Sequence, residues 1–248
     1  MSEDIVFGRN AVREALLSGR TANKMLIAKG DRKGSIGEII TLAKSQNIDV
    51  REVLYSKLDE IVKEVDEQAN HQGVVLYVSP IEYFEIDDIL NLAKEKGEPP
   101  FVIVLDSLTD VHNIGAIIRS AECFGAHGIV MNKKRSAPIN AAVLKASSGA
   151  ASYMEIARVP NIVSAIKELK DKGLWVIGAD MDGQRADKVN LKGAVALVIG
   201  SEGKGLARLT KENLDMIASI EMSGAISSLN ASCAASILMY EKRRQDML

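Results

Sequence analysis

Cysteine, histidine and long apolar runs are all scarce in this 248-residue chain. The two cysteines, Cys123 and Cys233, each sit in an apolar helical pattern without CxxC spacing. No disulfide framework is indicated; both read as buried free thiols, which fits a cytoplasmic location. The three histidines, His71, His112 and His127, are scattered and offer no metal-ligand cluster. No apolar run reaches the roughly 18 to 20 residues that a bilayer-crossing helix needs. The opening MSEDIVFGRN is acidic and lacks a signal-peptide core. Formal net charge is only -2, so no global field draws the chain to nucleic acid, and any RNA contact must come from local patches. Low-complexity tracts and internal repeats are missing as well, and an apolar fraction of 47% is that of a globular chain.

What is present is an alternation of short strands and helices. In residues 1–78, VREALLSG reads as a helix, KMLIAKG as a strand, IGEIITLAKSQ as a helix and IDVREVL as a strand. KLDEIVKEV then gives a helix and HQGVVLYVSP a strand, so a mixed sheet with packed helices is predicted. Arg9, Arg13, Arg20, Lys24, Lys29, Arg32 and Lys33 gather in this part, and Lys133-Lys134-Arg135 follows the strand-like GIVM. Each patch is either a phosphate-binding surface or an ordinary solvated face. Residues 79–100, with a polar helix and a double proline, read as a linker. From Phe101 onward, FVIVL, GIVM, LWVIGAD, ALVIG and MIASIEM alternate with helices. That pattern predicts an α/β domain over 101–248 with a parallel sheet covered on both faces.

A dinucleotide-type fold would place a glycine-rich turn after its first strand. Here FVIVL runs into DSLTD, which has no glycine. The glycines come late: Gly178 ends one strand, and Gly200, Gly203 and Gly205 surround Glu202 after the next. Such turns let backbone groups approach a ligand with no Cβ in the way. Ligands of parallel sheets gather at these carboxyl ends of strands. In the helix after DSLTD, Ile114, Ile117, Ile118 and Ala121 form one stripe. Arg119 points away from it, toward either solvent or a function. Ser228 and Asn230 open the last helix, where capping competes with any chemical role.

Three segments together carry a family resemblance: DSLTDVHNIGAIIR from Asp106, IGSEGKGL from Ile199, and SLNAS from Ser228. With Lys145–Ala150 (KASSGA), they resemble the motifs of SpoU-type RNA ribose methyltransferases of the SPOUT superfamily. The resemblance spans essentially the whole chain, and His71-Gln72-Gly73 matches a motif of the family's RNA-binding N-terminal domain. A plain turn before a strand is the other reading of that tripeptide. The resemblance implies a SPOUT parallel sheet closed by a trefoil knot, a homodimer, and no metal or membrane partner. It also implies S-adenosylmethionine as methyl donor, with Gly178, Gly200, Ile220, Met222 and Leu229 at the cofactor. Arg119, Asn113, Glu202, Ser228 and Asn230 would be catalytic, while Arg9, Arg13, Lys29, Arg32, Lys33 and Arg135 would hold RNA.

In overall layout the chain is most similar to the branch that methylates the ribose 2′-oxygen of a guanosine in large-subunit (23S-type) ribosomal RNA. A transfer-RNA substrate is the alternative within the same chemistry, and a non-catalytic ribosome-assembly protein is the alternative outside it. The family has been discussed with the Arg119 equivalent as general base. A guanidinium keeps its proton, with a pKa above ~12, so a bidentate grip on the RNA phosphate is physically easier. Two departures stand out: Val111 and Glu221 occupy positions where the family often has proline, and Glu221 adds charge beside the expected cofactor pocket.

Overall fold

The computed structural model describes residues 4–18, 22–30, 35–65, 70–78, 82–201, 203, 205–224 and 228–248. The chain opens with β1 (Asp4–Phe7), α1 (Arg9–Leu17), β2 (Ala22–Ala28), α2 (Ile36–Ser45), β3 (Asp49–Val53), α3 (Tyr55–Lys63) and β4 (Val74–Val78). It continues through α4 (Ile86–Lys96), β5 (Phe101–Asp106), α5 (Val111–Cys123), β6 (Gly128–Asn132), α6 (Ala141–Ala146) and β7 (Glu155–Val159). It ends with α7 (Ile162–Asp171), β8 (Trp175–Arg185), β9 (Val195–Gly200), α8 (Arg208–Lys211), β10 (Met216–Ser219) and α9 (Ala231–Asp246). Strands β1 and β7 are additions to the sequence reading. The first has only four residues, and EIARV of the second carries Glu155 and Arg158 among five.

These elements form two packed units: Met1–Ile81 with Ile139–Tyr153, and Glu82–Pro138 with Met154–Leu248. In the first, the strand order is β1-β4-β2-β3. β4 runs antiparallel to β1 and β2, and β2 runs parallel to β3, which makes the sheet mixed. Ile5, Phe7, Leu58, Val62 and Val75 share a buried cluster with Ala141 of α6. Thus α6 packs with a unit distant from it in sequence. Lys145 Nζ donates to the Asn70 carbonyl oxygen at 2.9 Å, and the Tyr153 hydroxyl donates to Glu14 Oε2 at 2.7 Å.

In the second unit the described strands run β10-β8-β9-β5-β6-β7, and every pairing is parallel. β5 is flanked on both sides and buried throughout, which is why its sequence is a continuous apolar run rather than an alternation. Val102 and Val104 face a core shared with α4 and α7. Ile103 and Leu105, opposite by strand alternation, are equally buried. On β8 and β9 lies α9, and α5 packs against it.

The segment read as a linker holds α4, which belongs to this unit. Ile86, Ile89 and Ala93 fall on one helical face and are buried, the two isoleucines in the core under the sheet. A capping box between Glu85 and Asp88 starts the helix, and Gly97 at φ 67° ends it. The cysteines are a correction: Cys123 and Cys233 are exposed. The buried stripe of α5 is the isoleucine stripe predicted from spacing, and Cys123 lies off it. On α9 the buried positions begin at Ala235, one turn fraction past Cys233. The basic end of α9 does more than complement a helix dipole. Lys242 is buried and donates from Nζ to the Gly193 carbonyl oxygen (3.0 Å) and Asp246 Oδ2 (2.6 Å). Gln245 Oε1 accepts from Leu191 N–H (2.9 Å) while its Nε2 donates to the Val189 carbonyl oxygen (3.1 Å).

Candidate active site

The middle of β8, the carboxyl end of β9, the segment after β10 and the start of α9 converge on one cavity of about 620 Å³. Its lining includes Gly200, Ile220, Met222, Ser228, Leu229 and Asn230, six of the residues expected at the cofactor or in catalysis, together with Gly203 and Gly205. Ile199, Ala218 and Leu238 add apolar wall, and Ala231 and Ala234 keep the first turns of α9 thin.

Gly200 is required by packing. A Cβ there would lie 2.3 Å from the Gly205 carbonyl carbon and 2.5 Å from Leu206 N, backbone that cannot swing aside. Ser201 and Gly205 exchange backbone hydrogen bonds at 3.1 and 2.9 Å, closing the turn over Gly200. Gly203 and Gly205 have φ 73° and 62°, where L side chains are strained. Glu202 lies outside the described residues.

Gly178 has a different role from the one expected. It does not line the cavity; a Cβ on it would press on Leu206 Cδ1 and Leu214 Cδ1 at 2.6 and 2.3 Å. Its neighbours Ala179 and Asp180 do line it. Asp180 is almost buried, and its Oδ2 pairs with Lys211 Nζ at 2.7 Å. Asp106, buried at the end of β5, accepts from Ala207 N–H at 3.2 Å and so ties the end of the glycine turn to the centre of the sheet. Sequence reasoning left both aspartates unassigned. Their signal was position: Asp106 ends the apolar β5, and Asp180 follows the apolar half of β8, where its pairing with β9 stops.

The motif helix is built locally. Asp110 caps α5 by accepting from His112 N–H at 2.9 Å, and Asn113 Nδ2 donates to Asp110 Oδ2 at 2.9 Å. That Asn113 amide, ahead of the His112 N–H, holds the Asp110 carboxyl below the usual carboxylate range. Ser107 in the preceding loop has φ 62°, a strained value for a non-glycine residue. Asn113 is buried, so its amide braces the loop. Arg119 is exposed on α5 and is not among the lining residues of the cavity. Asn230 does cap α9, its Oδ1 accepting from Ser232 N–H (2.9 Å) and Oγ–H (2.6 Å), and it lines the cavity as well. Glu221 points its charge at Arg185 Nη1, 3.0 Å away, and is absent from the lining.

Of the expected RNA contacts, Arg9 donates from Nε to the Gln72 carbonyl oxygen at 3.0 Å, and Arg13 pairs with Glu14 at 2.7 Å. Lys29 and Arg135 are exposed. Arg32 and Lys33 lie outside the described residues. Among the described residues, no three His, Cys, Asp or Glu side chains are grouped to hold a metal ion, and no helix is long and apolar enough to cross a membrane.

Known proteins resemble both parts of the chain. Residues 100–240 match the SpoU rRNA Methylase family, and residues 5–84 match the RNA 2'-O ribose methyltransferase substrate binding family. A Bacillus subtilis (strain 168) protein, YacO, assigned to the TrmH family of tRNA/rRNA methyltransferases, is 45% identical over 244 residues, covering 98% of this chain and 96% of that protein. A Staphylococcus aureus (strain MSSA476) protein assigned to the same family is 42% identical over 251 residues, covering 100% and 99%. Among solved structures, the SpoU methyltransferase AviRb from Streptomyces viridochromogenes has the same fold. It superposes with TM-score 0.80 at 23% identity, covering 99% of this chain and 90% of that one. Its complex with the cofactor AdoMet (S-adenosylmethionine) superposes at TM-score 0.78.

Proposed function

Because the chain belongs to the SpoU rRNA Methylase family, we propose that it methylates the ribose 2′-oxygen of a guanosine in large-subunit (23S-type) ribosomal RNA, using S-adenosylmethionine. The observation that carries the reading is the cavity at the glycine turn. Its volume lies within the roughly 300–1,000 Å³ of small-molecule sites, and apolar walls with a few backbone groups suffice for a purine. Ile220, Met222 and Leu229 supply the walls, and the turn closed over Gly200 brings backbone to the site. Asp180 also lines this wall, its carboxylate paired with Lys211 Nζ at 2.7 Å. When bound, S-adenosylmethionine supplies an electrophilic methyl group on a sulfonium sulfur.

The chain's own task is then to hold and orient the ribose hydroxyl and to offset charge forming on its oxygen. We assign Arg119 a bidentate grip on the phosphate beside that ribose, and Asn113 the bracing of the Asp110 loop on which α5 begins. Ser228 and Asn230 stand at the cavity, and Glu202 completes the catalytic set by family resemblance. Arg119 lies outside the cavity lining of its own chain, and Cys123, Cys233, Ile237 and Tyr240 are exposed on α5 and α9. Both observations support a homodimer with the site near the interface. Residues 5–84 would select and grip the RNA, with Arg9, Arg13 and Lys29 among the contacts.

The test is incubation of the purified chain with methyl-labelled cofactor and either 23S-type ribosomal or transfer-RNA transcripts. Label on a guanosine 2′-oxygen of the ribosomal transcript is the expected result. Label on transfer RNA alone would move the substrate, and cofactor binding without transfer to either RNA would point to a non-catalytic role.

A further inference from the structure

A second, separate concavity lies in the first unit, about 510 Å³ in volume and lined by Arg9, Asn10, Ser35, Tyr55, Asn70 and Gln72. We infer that it receives one unpaired nucleotide of the RNA substrate, its base stacked on Tyr55 and its edge read by the surrounding amides. This rests on the reading that residues 5–84 take the RNA, and it adds a place and a form of RNA to it.

Tyr55 is 53% exposed although aromatic, and it is backed by His71, which is itself buried; their ring centroids are 4.4 Å apart. His71 is fixed in turn, its Nδ1 accepting from Gly73 N–H at 3.0 Å and its Nε2 lying 3.1 Å from Asp59 Oδ1. The platform is therefore held from behind and open in front. Gln72 has φ 52°, a left-handed value that a non-glycine residue adopts under constraint. That conformation lets its Oε1 accept from Arg9 N–H (2.9 Å) while its carbonyl oxygen accepts from Arg9 Nε (3.0 Å), and Asn70 Oδ1 holds Gln72 N–H at 2.9 Å. Tyr55, Asn70, Gln72 and Arg9 are thereby brought to one rim. Among the described residues no acid lines the concavity, and Lys145 Nζ sits on the Asn70 carbonyl oxygen. With the Gln72 and Asn70 side-chain oxygens already accepting, their NH2 groups face a base edge as donors, and the Asn10 amide brings a donor and an acceptor together. An aromatic face with amides and cations recognises splayed-out bases in loops, which a continuous duplex does not present.

The test uses the full chain and two RNA probes: a stem-loop transcript, and the same stem as a closed duplex. Stacking on one aromatic is worth about 5- to 150-fold in affinity. Tyr55→Ala should therefore weaken stem-loop binding by at least about 5-fold while duplex binding holds and Tyr55→Phe binds as wild type. The salt dependence of stem-loop binding should keep its slope, because stacking neutralises no phosphate. Asn10→Ala, at an exposed helical position that tolerates alanine, should weaken the stem-loop several-fold and guards against a Tyr55 variant that fails to fold. If wild-type protein binds neither probe, the RNA reading falls and this inference with it. If wild type binds the stem-loop and both alanine variants bind it equally well, the nucleotide site alone is wrong. Equal losses on stem-loop and duplex would also overturn it.

Discussion

At the residue scale, the roles proposed for one arginine and one glycine of the transferase unit can be tested apart. Arg119 is exposed beside a fully buried isoleucine stripe. Its replacement by alanine should leave folding and cofactor binding near wild type and abolish methyl transfer. Arg119→Lys should fail too, since an ammonium is a point charge and cannot make a forked grip. A lysine variant with near-normal turnover on its RNA would leave charge neutralisation as the role. Gly200 works through space. In Gly200→Val the new atoms meet Gly205 and Leu206 backbone inside contact distance, so the turn must open. Calorimetric titration should find cofactor affinity lower by at least about tenfold, together with an overpacking cost of about 1–3 kcal/mol in unfolding. Undiminished affinity would place the cofactor elsewhere. The glycine was legible in the sequence as a ligand-approach signal, but its contact partner five residues on was not.

Caps and burial decide the elements. Asp110 fixes where α5 starts, and Asp110→Ala should cost about 1 kcal/mol in chemical denaturation. An unchanged midpoint would mean that Asn113 and the loop hold the helix without it. Between the starts of β5 and β6, His127 is buried, with Nδ1 accepting from Phe101 N–H at 3.1 Å and Nε2 3.2 Å from Glu98 Oε2. Burial, then the Lys96 charge, push its pKa below the ordinary value. The folded state thus prefers neutral imidazole. The stability this gives is full above the unfolded pKa of about 6.5 and is lost as pH falls from there through the folded value. Thermal unfolding followed from pH 7.5 to 5 (roughly the range spanning that value) should show a decline that His127→Gln lacks; parallel curves would remove His127 as its cause. Helices and central strands were readable because their apolar periodicity is strong. β1 and β7 were not, since one is very short and the other carries charge at an edge of the sheet.

For the whole molecule, the division into units matters more than the order of domains along the chain. Ile139–Tyr153 pack with the first unit although the chain on both sides belongs to the second. A truncated chain beginning at Glu82 keeps α4 in its own core but strips α6 of its partners in β1 and α1. Ile139, Val143 and Leu144 are buried side chains of that segment, each worth about 1.5–3 kcal/mol when covered. The truncated chain should therefore unfold at clearly lower temperature than the full chain and bind a hydrophobic dye. Coincident melting curves would show that the segment finds other cover.

By itself the sequence determined the α/β class and the parallel sheet, and it singled out residues on β9, after β10 and at the start of α9 that the fold brings to one cavity. Periodicity, strand ends and short motifs are local properties that survive without coordinates. Tertiary structure alone decided that Gly178 serves packing while Asp180 lines the cavity, that Asp106 pins the glycine turn, and that α4 belongs to the sheet. It alone decided that α6 belongs to the first unit, and that Cys123 and Cys233 face outward. These follow from which surfaces meet across long stretches of chain. A residue's pattern says that it must be buried or can be exposed, but only the packed fold says against what.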